Sequence, residues 1–218
     1  MRSSMEAGSS GERASARSST RERRYGDASL SVNRRSTGLS TNPEDAADAL
    51  FLRYAYPDWL RQHSLLVGRI ATLLAERSAS ELDMRSVALA AYLHDVGRSA
   101  LLAGDVRDHG ELSALILAAE GLAECAEPAR RHPVYAVLDP ATAPRTLAER
   151  IVHYADRRGG MTVLPLDERI SETAQRHPRY AESIERSRPL ARAMERELCE
   201  RLRFKPEDLA REVAERWP

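Results

Sequence analysis

The chain has 218 residues, a formal net charge of zero at pH 7, 42% hydrophobic residues and 30% charged residues. It is long enough to bury one sizeable core, and with no net field to attract a polyanion, nucleic acid and anionic membrane surfaces are set aside as partners. The longest apolar stretch, Val87 to Leu93, falls far short of the roughly 20 residues that a bilayer helix needs, and no apolar signal core opens the chain, so a cytoplasmic protein is expected.

Residues 1–41 are rich in Ser, Arg and Gly and have almost no apolar periodicity, so they are read as a disordered, solvated leader. Glu6, Glu12, Glu22 and Asp27 interrupt any transit-peptide pattern. Asn42 before Pro43-Glu44-Asp45 supplies a cap, a first-turn proline and first-turn acids, which predicts a helix running to Tyr56. Pro57 opens a second helix, in which Leu60, His63, Leu66, Val67, Ile70, Leu73 and Leu74 recur at three and four, placing His63 on the apolar face.

A third helix is expected from Asp83 to Asp95, with Gly97 as its stop. A fourth starts near Asp108 and runs to Gly121, and a short fifth covers Ala123 to Arg131 before His132-Pro133. A loop at 139–146 precedes a helix through Leu147, Ile151, Val152 and Ala155 that delivers Asp156 and ends at Gly159-Gly160. Further helices are predicted over Asp167 to Gln175, Pro189 to Leu202 and Pro206 to Trp217. No alternating strand and no internal repeat is evident, so the fold class is all-α. Leu190, Met194, Leu198 and Leu202 form a stripe spaced by four, expected to pack back on the domain, with a homodimer contact as the other use. Cys125 and Cys199 are far apart and outside any Cys-x-x-Cys frame, which excludes a disulfide scaffold or a thiolate zinc site.

The most informative feature is His94-Asp95, two adjacent metal-ligand types at the end of an apolar helix. A buried imidazole beside a carboxylate is costly unless something compensates it, and a divalent cation does so. Among the six histidines, His63, His94, His109 and His132 lie on apolar faces or at helix ends, and Asp156 follows them in chain order. Such ligands from separate helices can converge on a metal pair inside a bundle. His153, one turn before Asp156, is read as a structural neighbour of that site, His177 as a surface residue, and Arg157 and Arg158 as a solvated helix end.

The pieces Arg61-Gln62-His63-Ser64-Leu65-Leu66-Val67, Ala91-Tyr92-Leu93-His94-Asp95-Val96-Gly97-Arg98, Asp108-His109-Gly110-Glu111, Ala129-Arg130-Arg131-His132 and His153-Tyr154-Ala155-Asp156-Arg157 resemble, in order and context, the HD superfamily of metal-dependent phosphohydrolases. The resemblance implies a helical bundle with a metal site at its centre, occupying residues 42–180, with C-terminal helices at 181–218 packed on it. It implies that His63, His94, Asp95 and Asp156 bind one ion, and that His109 and His132 bind a second with Asp95 as the bridge. The cofactors would be two divalent metal ions, of manganese, iron, magnesium, nickel or zinc.

Asp95 and Arg98 would be the catalytic residues. Arg98 stands where the family commonly has Lys, and a guanidinium there can grip a phosphate in a fork or simply pair with a nearby acid. The implied reaction is hydrolysis of a phosphate ester of a nucleotide or another small phosphorylated molecule by metal-activated water. The alternatives are a di-iron oxygenase on the same fold, or a metal-binding signalling module without turnover. No Gly-Tyr-Pro follows the histidines and no paired acids follow His94-Asp95, so the cyclic-di-GMP and ppGpp branches lack their signatures. No Gly-x-x-x-x-Gly-Lys loop or Rossmann fingerprint occurs either.

Overall fold

The computed structural model describes residues 38–78 and 81–218. The predicted leader, up to residue 37, lies outside them. Among the described residues the fold is all-α, with a single isolated bridge between Gly159 and Val163 and no strand. None of the described helices is long and apolar enough to cross a membrane.

Helix α1 (Pro43–Arg53) begins as its sequence dictates, with Asn42 Oδ1 accepting from the amide of Glu44 at 2.8 Å and Asp45 at 3.4 Å. It stops three residues before the predicted Tyr56. Ala55 turns left-handed at φ 49° and the Tyr56 amide donates back to Phe51 O at 2.9 Å, a closure that satisfies the last carbonyls. Helix α2 (Asp58–Glu76) buries Leu60, His63, Ser64, Val67, Ile70, Ala71 and Leu74 on one face. The ring of Tyr92 lies directly over Gly68, where a Cβ would fall 2.0 Å from a ring carbon, so the close approach of α2 to the next helix requires glycine there.

Helix α3 (Met84–Tyr92), capped by Asp83 through the Arg85 amide at 3.1 Å, is the spine of the core, and every residue from Ser86 to Tyr92 is buried. Its predicted end at Asp95 is corrected: the helix closes at Tyr92, and His94-Asp95 sits in the turn that follows. Helices α4 (His109–Ala119) and α5 (Ala123–Arg130) pack on each other, separated by Gly121 at φ 81°. Helix α6 (Leu147–Asp156) starts with a capping box between Thr146 and Glu149 and runs against α2, α3 and α5. The main core lies among these elements, built on Leu50, Ile70, Leu89, Leu117, Ile151 and Val152.

Helix α7 (Leu166–Arg176) packs on α8 (Ala181–Leu202) over a smaller cluster of Val134, Leu166, Ile170, Ile184 and Ala191. Helix α8 begins eight residues before the predicted Pro189, which is carried inside it. The predicted stripe is also corrected. Leu198 and Leu202 are buried in the main core, but Leu190 faces solvent and Ile184, Ser187 and Ala191 take the inner face instead. A short helix, α9 (Leu209–Arg216), closes on α2 through Leu209 and Val213. Cys125 is buried and its thiol is pushed up to about 12 by that burial, while the Cys199 thiol is raised to about 11 for the same reason. Neither is a nucleophile at neutral pH.

Candidate metal centre

Two histidines are placed by one local device. His94 and His132 each lie two residues beyond the end of a helix, and each Nδ1 turns back to the carbonyl three residues earlier, Ala91 O at 2.7 Å and Ala129 O at 2.5 Å. A carbonyl can only accept, so both Nδ1 atoms carry a proton and both Nε2 atoms face inward. His63 reaches the same space from the buried face of α2, Asp156 from the last position of α6, and His109 from the first position of α4.

All six predicted residues come together around Asp95, and its two oxygens divide them. On the Oδ2 side lie His94 Nε2 at 3.6 Å and His63 Nε2 at 3.9 Å, with Asp156 Oδ1 at 3.3 Å from His63 Nε2 and 3.8 Å from His94 Nε2. On the Oδ1 side lie His132 Nε2 at 3.2 Å and His109 Nε2 at 3.6 Å, the two imidazoles being 3.1 Å apart. The ligand atoms of His63, His94 and Asp156 lie within 4.8 Å of one another, as do those of His94, Asp95 and His132.

The donor chemistry fits cations. Burial lowers His94 to about 4, against the pull of the neighbouring carboxylates, so it is neutral at pH 7. Its lone pair then faces two carboxylates and the Nε2 of His63, 3.2 Å away. Lone pairs gathered in this way repel one another unless a positive ion sits among them. The Nδ1-to-carbonyl bonds are the outer contacts that orient metal-binding imidazoles. Burial also lowers His109, to about 3. Asp95 is ionised: burial works to raise it, but Arg98 and the imidazoles hold its carboxyl well below the usual carboxylate range.

Gly97 fixes how the two halves meet. It does not terminate α3 as predicted; it lies in the short 3-10 turn Val96–Arg98 at a close approach to the start of α4. A Cβ on Gly97 would stand 2.4 Å from His109 O, and its amide donates to Ser113 Oγ at 2.9 Å. The neighbouring atom is backbone, so the two segments have to part. Gly97→Ala is expected to cost about 1–3 kcal/mol and to weaken metal uptake by pulling His109 from Asp95, read by thermal melts and metal content. Unchanged metal content would show that the contact is not needed for the centre.

The centre opens into a cavity of about 850 Å³. Its walls include Arg98, Arg107, Arg157, Arg169 and Arg176, with Trp59, Tyr135 and Tyr180 among the larger apolar surfaces. The expectation of a solvated helix end at Arg157 and Arg158 is overturned, as they are 5% and 4% exposed. Arg157 donates to Asp156 Oδ2 from Nη2, and its Nε and Nη1 have no hydrogen-bond partner among the described residues. Arg158 turns away from the cavity into the packing of α6 against α8.

His153 is buried beside the centre but outside both donor groups, with Nδ1 on Arg131 O at 3.3 Å. His177 is exposed as expected, yet it lines the cavity mouth. Arg169 was not anticipated. It is buried, donates from Nε to Gly159 O at 2.8 Å, and approaches Asp156 Oδ1 at 3.9 Å. The available signal was a charged residue beside Ile170 on the buried side of α7.

The imidazole–carboxylate cluster at the meeting point of these helix ends offers buried groups that could hold a metal ion. Residues 60–161 match the family model of the HD domain, so this stretch of the chain is an HD domain. No curated protein and no solved structure gives a significant match to the chain.

Proposed function

We propose that this protein is a metal-dependent phosphohydrolase that cleaves a phosphate ester of a nucleotide or another small phosphorylated molecule. The observation that carries this reading is the division of four imidazoles between the two oxygens of Asp95, with Asp156 beside His63 and His94 and a cavity walled by arginines alongside. His63, His94, Asp95 and Asp156 would hold one divalent ion, and His109, His132 and Asp95 the second. Such ions, when bound, stabilise charge on phosphate oxygens and make a water nucleophilic near neutral pH.

The chain's own residues supply the rest. The arginines around the cavity offer forked donors to a phosphate, and the two partnerless nitrogens of Arg157 mark donor capacity that the protein itself does not use. A volume of about 850 Å³ suits a ligand of nucleotide size, and Trp59, Tyr135 and Tyr180 offer flat apolar surface to its non-phosphate part.

The test is metal analysis of the purified protein, followed by turnover of a panel of phosphate esters with added manganese. Phosphate release that requires the metal is the expected result. Oxygen uptake with iron and no phosphate release would replace this reading by the oxygenase, and bound metal with neither activity would replace it by a binding module.

A further inference from the structure

The two halves of the centre differ in one respect. On the Oδ2 side, no guanidinium among the described residues reaches the inward-facing ligand atoms: Arg157 takes Asp156 through its outer oxygen, and Arg169 stays 3.9 Å from Oδ1, beyond hydrogen-bond distance. On the Oδ1 side, Arg98 lies across the ligand atoms themselves. Its Nε donates to Asp95 Oδ1 at 2.8 Å and its Nη2 meets His109 Nε2 at 2.9 Å. Arg98 follows Asp95 by three residues on the short turn Val96–Arg98, so the backbone delivers the guanidinium to that oxygen.

We infer that Arg98 acts as an internal cation that closes the second half of the centre, so that the halves load in order and the second fills only when Arg98 is released. This rests on the two-ion reading above. The guanidinium occupies two of the three donor atoms that an ion on His109, His132 and Asp95 Oδ1 would need, and two cations cannot share them at contact distance. His109 meets Arg98 through Nε2, the same atom that it would offer to a metal. Release is sterically open: the Arg98 side chain is 36% exposed and lines the cavity, whereas Asp95 beneath it is 7% exposed. Once released, Arg98 stands among the other cavity arginines, where an anionic group offers it a forked partner. An anion in the cavity and an ion on the second half then favour the same position of Arg98, and each assists the other.

The test titrates the full metal-stripped chain with Zn²⁺ by calorimetry, in the wild type and in Arg98→Met, while ¹⁵N NMR follows the Arg98 Nε–H, assigned by its loss in the variant. Two unequal steps are expected in the wild type. Arg98→Met should tighten the second at least tenfold and leave the first within twofold. Arg98→Lys keeps the charge but loses the fork, and should also tighten the second step. His109→Ala should remove that step in either background. The wild-type Arg98 signal should move with the second equivalent of Zn²⁺, a readout taken on the wild-type chain itself. A second step unchanged or weakened in Arg98→Met, or an Arg98 signal that moves with the first equivalent, overturns the inference. Uptake of one ion or none in both backgrounds overturns the two-ion reading itself, and this inference with it.

Discussion

Asp95→Ala is expected to remove metal from both halves of the centre at once and to abolish metal-dependent phosphate release. Each oxygen of Asp95 faces a different group of imidazoles, so one substitution takes a ligand from both. Removing an outer partner of a metal ligand costs about 10–100-fold in affinity, and losing a shared ligand should cost more than about 100-fold on each side. The contrast that isolates the effect is His109→Ala, which touches only the Oδ1 side and should leave one ion bound. Metal content after gel filtration, measured beside phosphate release, checks both. Two ions retained by Asp95→Ala would exclude Asp95 as the bridge. Chelation of the wild type should lower its melting temperature too, since an ion at 100 times its Kd stabilises the folded state by about 2.7 kcal/mol per site.

Arg158→Ala is expected to be the most destabilising single change outside the core. The guanidinium donates to Leu164 O at 2.6 Å, Pro206 O at 2.8 Å and Glu195 Oε1 at 3.2 Å, and also to the Tyr154 hydroxyl. It therefore ties α6 to the loop before α7, to α8 and to the turn before α9. Truncation leaves these acceptors without their donor and the Glu195 charge without its partner, a class of loss worth about 3–5 kcal/mol. For a chain of this size that lowers the melting temperature by about 2–4 °C per kcal/mol. Arg158→Lys, with one compact charge in place of five directed donors, should recover only part of the loss. A thermal melt within about 1 °C of wild type for Arg158→Ala would show that these bonds are replaced by water at no cost.

The two substitutions sample different kinds of information. The importance of Asp95 was legible in the chain, because a carboxylate next to an imidazole at the end of Val87–Leu93 violates apolar patterning, and such violations mark sites. Arg158 was not legible. Its neighbours Arg157 and Gly159 resemble any polar helix end, and only the packing of α8 and the turn at Pro206 encloses it. Arg169 was hidden for the same reason. The early close of α3 at Tyr92 is a subtler case: Ala, Leu and Val favour continuing the helix, but the His94 imidazole takes the Ala91 carbonyl.

What the sequence by itself determined is what acts within a turn or two of helix. The caps at Asn42, Asp83, Asp108 and Thr146, the apolar spacing of α2 that carries His63, and the all-α class all depend on neighbours two to four residues apart. The order of the metal-ligand residue types along the chain belongs with these. What only the tertiary structure decided is the partition of those ligands between the two oxygens of Asp95, the meeting of Arg98 with His109, and the burial of Arg157, Arg158 and Arg169. Each of these depends on how helices distant in sequence cross, and that is set by the packing of whole faces such as Tyr92 against Gly68 and Gly97 against His109. Local propensity carries no record of a contact that exists only after the core has closed.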